Sequence, residues 1–71
     1  MNVINPSKLA LSKWTAVNPS DGEKHFQVTR VYPSALQNLI QIELQAVTSG
    51  RKQRMFWTEL KDDLQWQPGW R

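Results

Sequence analysis

Leu39-Ile40-Gln41-Ile42-Glu43-Leu44-Gln45-Ala46-Val47 is apolar at every second position, with Ile40, Ile42, Leu44 and Ala46 on one side and Gln41, Glu43 and Gln45 on the other. A period of two belongs to a strand, whose successive side chains point to opposite faces. One face is therefore buried and the other wet, the pattern of an antiparallel sheet covered on a single side. This segment predicts a strand over residues 39 to 48.

Downstream, Thr48-Ser49-Gly50-Arg51 reads as a tight turn, with Gly50 free to take the positive φ that a hairpin needs. A further strand is expected over residues 51 to 58. If Ser49 and Gly50 are the central turn residues, Leu44 pairs with Met55 and Ile42 with Trp57, so the apolar faces coincide. Phe56 is then left on the polar face. Beyond Trp57 the alternation stops, and Leu60 and Leu64, four apart behind Thr58, suggest one or two helical turns. Gln67-Pro68-Gly69 ends them and returns Trp70 to the domain.

Upstream, Lys13-Trp14-Thr15-Ala16-Val17 predicts a strand with Trp14 and Ala16 on one face. Asn18-Pro19-Ser20-Asp21-Gly22 gathers turn formers and reverses the chain. The next strand, residues 25 to 32, places Phe26, Val28, Arg30 and Tyr32 on one face and His25, Gln27, Thr29 and Val31 on the other, and Pro33 ends it. Residues 1 to 7 are expected to be a loose N-terminus, with Ser7 capping a short turn that brings Leu9 or Leu11 to the core, and residues 8 to 71 one small β domain. The fold class is all-β: a strongly bent antiparallel sheet of four strands, or a small SH3-like barrel, with a short C-terminal helical turn. An open sheet with the tail across one face is the alternative.

With 71 residues there is room for one core, and a chain of this size buries only about 60 % of its unfolded surface. No cysteine is present to staple it, so large side chains must compensate: Trp14, Trp57, Trp66, Trp70, Phe26, Phe56 and Tyr32. No apolar run approaches the ~18 residues of a membrane span, and Met1 to Ser12 lacks the basic start and long apolar stretch of a secretory signal. The expectation is a soluble cytoplasmic protein without a membrane partner. Asn5-Pro6-Ser7 and Asn18-Pro19-Ser20 fail as glycosylation sequons because proline holds the middle position.

The blocks Lys13-Trp14-Thr15-Ala16-Val17, Glu23-Lys24-His25-Phe26, Leu60-Lys61-Asp62 and Trp66-Gln67-Pro68-Gly69-Trp70 occur in an order that resembles a family of short tryptophan-rich bacterial proteins of unknown function. The resemblance spans Lys8 to Trp70. It implies a small soluble bacterial protein and carries over no site.

The residue types argue against an enzyme. His25 is the sole candidate base, no nucleophile elbow or oxyanion loop is visible, and Gly22, Gly50 and Gly69 are isolated rather than set in a phosphate-cradling motif. Asp21, Glu23 and His25 make a poor metal set without cysteine. No catalytic residue, metal or cofactor is therefore expected. Two binding readings remain. The net charge is +3, and Lys24, His25, Arg51, Lys52 and Arg54 make a basic surface for single-stranded nucleic acid, joined by Arg30 only if it turns away from the Phe26 face, when exposed rings such as Tyr32 or Phe56 stack on bases. The same charges on a hairpin tip and edge strand also discourage edge-to-edge association. Alternatively, Trp57, Trp66, Pro68 and Trp70 form a groove for a protein partner, tryptophan being enriched at binding hot spots.

Overall fold

A computed structural model describes residues 1–71. Five strands, β1 (Lys13–Ser20), β2 (Glu23–Tyr32), β3 (Gln41–Ala46), β4 (Lys52–Phe56) and β5 (Trp66–Pro68), form one antiparallel sheet in the order β4-β3-β2-β1-β5. The sheet is open, so the expected SH3-like barrel does not form, and a fifth strand takes the place of a returning tail. No helix is long and apolar enough to cross a membrane.

The alternation of β3 is realised as read: Ile42, Leu44 and Ala46 are buried, and Gln41, Glu43 and Gln45 face the other way. The β3–β4 hairpin differs in register. Ile42 pairs with Met55 and Leu44 with Gln53, because the loop is the four residues Val47 to Gly50, closed by Gly50 N–H to Ala46 O at 2.8 Å. The slip from the expected pairing is two residues, an even number, so the faces are preserved. Phe56 stays on the polar side and is 43 % exposed.

The β1–β2 hairpin turns later than expected, at Asp21 and Gly22, whose φ values of 55° and 73° suit a two-residue turn with both central residues left-handed. Strand β2 contains a bulge at Thr29: Val28 opposes Leu44, but Arg30 opposes Glu43. One extra residue flips the alternation. Val31 therefore packs against the core, and Arg30 and Tyr32 turn to the polar face, opposite to the straight-strand expectation.

The core collects Leu9, Trp14, Phe26, Val28, Ile42, Leu44, Ala46, Trp57, Leu60 and Trp66. Leu9 arrives from a 3-10 turn, Pro6–Lys8, capped by the Asn5 carboxamide rather than by Ser7, while Leu11 remains exposed. The expected helical turn is a 3-10 helix, Trp57–Lys61, without a side-chain cap; it buries Leu60 and leaves Leu64 76 % exposed. Residues 1 to 7, expected to be loose, are tied at Asn2. Its carboxamide donates to Leu60 O and Trp66 O, both at 2.8 Å, and its N–H to Lys61 O at 2.9 Å.

Candidate functional site

Residues paired across an antiparallel sheet share a face, so the register defines what the polar side presents. One row runs Lys13-Gln27-Gln45-Lys52 across β1 to β4. The next is Arg30-Glu43-Arg54, and the third Tyr32-Gln41-Phe56. At the other end Thr15 pairs with His25, and the chain after β5 folds over them. Gly69 O accepts from the Thr15 hydroxyl at 2.7 Å, the Arg71 N–H donates back to it at 2.9 Å, and Trp70 Nε1 donates to Phe26 O at 2.9 Å.

This tail sets the Trp70 ring 5.9 Å from His25, with Lys13 Nζ 4.7 Å from its centroid. Trp70 is docked, yet 43 % of it faces solvent. At the far corner, the Arg54 guanidinium stacks 3.7 Å over Tyr32, and its Nε donates to the Gln41 carboxamide. The polar face thus carries four cations, Lys13, Arg30, Lys52 and Arg54, against one carboxylate, Glu43. Thr29 donates to Glu43 at 2.7 Å, and with Lys52 and Arg30 nearby this holds the Glu43 carboxyl below its ordinary pKa. It stays charged and offsets only part of the positive field.

Of the five residues expected to form a basic surface, three come together on this face: His25, Lys52 and Arg54. Lys24 is exposed beside the β1–β2 hairpin. Arg51 is diverted. Its Nη2 and Nε reach the Glu23 carboxylate at 2.6 and 3.0 Å, and Ser49 donates to the same group. Glu23 is only 6 % exposed, and these bonds, Arg51 first and Ser49 second, hold its pKa below the usual value. A buried carboxylate needs such a partner, which is why Arg51 serves structure. Sequence reasoning missed Lys13 as a member of the face, although its alternation with Trp14 made it legible as outward; Arg30, admitted only if it pointed outward, is turned out by the bulge.

The four residues of the expected aromatic groove are dispersed. Trp57, 3 % exposed, donates to Gln37 O at 2.7 Å and lies under Lys61. Trp66, 8 % exposed, meets Phe26 edge-on at 5.2 Å. Pro68 pairs opposite Trp14, and Trp70 lies on the polar face. No group of three or more His, Asp or Glu side chains converges as metal ligands would.

A family model described as tryptophan-rich protein (DUF2389) matches residues 12–71. The chain belongs to that family. Trp14, Trp57, Trp66 and Trp70 all fall within the match, so the family's name describes residues that here build the core and one corner of the polar face. No curated protein and no solved structure matches the chain.

Proposed function

We propose that this tryptophan-rich protein is a non-enzymatic binding module that takes single-stranded nucleic acid on the polar face of its sheet. The observation that carries the reading is the three-row face itself: Lys13, Arg30, Lys52 and Arg54 surround Gln27, Gln45, Gln41 and the single carboxylate Glu43, with Tyr32 and Phe56 at one corner and Trp70 at the other. Cations follow the phosphates and release counterions, while exposed rings stack on bases with little regard to sequence. Glutamine carboxamides add donors and acceptors for base edges. Arg54 already covers one side of Tyr32 and Lys13 one side of Trp70, so Phe56 is the uncovered ring and Trp70 offers only its exposed part.

The test is a titration of intrinsic fluorescence with single-stranded RNA and DNA across a range of salt. Trp70 lies on the proposed face, so its emission changes on binding. Affinity falls as salt rises, and replacing Lys13, Arg30, Lys52 and Arg54 with glutamine flattens the log–log slope by about 3, at roughly 0.7 per phosphate contact. Arg51→Gln leaves the slope unchanged, because that side chain is held by Glu23. A folded protein with no saturable response at low salt refutes the reading.

A further inference from the structure

The two free edges of the open sheet differ in kind. On β5 every outward backbone group is engaged or missing. Trp66 N–H donates to Asp62 O at 2.9 Å, Trp66 O accepts from Asn2, Pro68 has no N–H, and Pro68 O accepts from Arg71 Nε at 3.2 Å. That edge is closed to strand pairing.

On β4 the opposite holds. Ala46 N–H donates to Arg51 O at 2.9 Å and Trp57 N–H to Ile40 O at 3.0 Å, which fixes the ladder's phase. Arg51, Gln53, Met55 and Trp57 direct their backbone groups at β3, and Lys52, Arg54 and Phe56 direct theirs away from it. Beside this edge the two ends of the sheet leave a cleft of about 420 Å3, lined by Arg51 and Gln53 from the β4 side, by Gln65 and Trp66 from the β5 side, and by Phe26.

We propose that the β4 edge is a strand-addition site for an extended acidic segment of a partner protein. The site shares Lys52, Arg54 and Phe56 with the nucleic-acid reading, but its ligand and its backbone contacts are different, and it does not rest on that reading. Backbone bonds to Lys52, Arg54 and Phe56 supply the pairing, and alternate side chains of the guest fall on opposite faces. Those on the polar face lie beside Lys52 and Arg54, which select carboxylates. Those on the other face lie beside Gln53 and Met55 and reach the cleft toward Trp66 and Phe26. A second copy is the wrong guest: symmetric pairing of β4 about Arg54 sets two guanidinium groups opposite each other, which opposes association.

The experiment uses the whole chain and a capped peptide of alternating glutamate and valine, with the lysine–valine peptide as control, followed by amide NMR and hydrogen exchange. Expected are saturable binding of the acidic peptide only, new protection at the N–H groups of Lys52, Arg54 and Phe56, and unchanged protection along β5. Arg54→Gln weakens binding by about tenfold. Arg54→Pro abolishes it while the sheet stays folded, since that N–H takes no part in the β3–β4 ladder. If the proline variant does not fold, the protection pattern of the unaltered chain decides. No binding, equal binding of the lysine peptide, shifts without protection at those three amides, or self-association of the free chain overturns the proposal. A failed oligonucleotide titration leaves it standing, so the two readings fail separately.

Discussion

Trp70→Ala is the substitution whose cost can be worked most fully from the structure. The residue is 43 % exposed, so somewhat more than half of its surface is covered by Lys13, His25 and the β1–β2 backbone. An aromatic of this size offers roughly 150–250 Å2 for burial, which makes the covered part about 85–140 Å2. At about 25 cal/mol per Å2 that contributes about 3 kcal/mol. The indole N–H bond to Phe26 O adds about 1 kcal/mol net, and ordering the side chain costs about 1 kcal/mol. The variant should lose about 3 kcal/mol, a large share of the stability of so small a domain. Urea unfolding followed by circular dichroism measures it, with Leu64→Ala as the control because Leu64 is 76 % exposed. Equal midpoints for Trp70→Ala and Leu64→Ala would show that the tail contributes nothing and refute the reasoning.

Ile42→Asp sets a charge in the core against Met55 and should unfold the domain, whereas Glu43→Gln, on the polar face, should stay folded; comparing thermal melts of the two checks the assignment of faces. The lowered pKa of Glu23 means that its pair with Arg51 stabilises the fold fully above the ordinary carboxylate range and is lost as pH falls through the depressed folded value. Glu23→Gln should therefore flatten the acid side of the stability–pH curve, and an unchanged acid limb in denaturant titrations at several pH values would contradict this.

What could be read from the residues depended on whether a pattern survives local irregularity. Strand β3 was legible because its two faces differ at every position from Ile40 to Ala46. The β3–β4 register was not, since Ser49-Gly50 fits a two-residue turn as well as the end of a four-residue one, yet the buried face was recovered because an even slip keeps it. The bulge at Thr29 left one sign in the sequence: a straight strand would set Arg30 beside Phe26 and expose Val31. Strand β5 left none, having three residues, one of them proline. The basic surface was half legible for a related reason. Charge clustering marked Arg51, Lys52 and Arg54 together, but a carboxylate distant in sequence, Glu23, took one of them away.

The pairing of β1 with β5 brings Trp14 beside Pro68, whereas β1–β2 and β3–β4 pair across short turns. Loop-closure entropy therefore orders assembly in time. The local hairpins can form early, and β5, with the Asn2 clasp and Trp70, can dock only onto a sheet that already exists. Substitutions in the tail are therefore expected to speed unfolding while leaving the folding rate nearly unchanged, which stopped-flow folding and unfolding rates check.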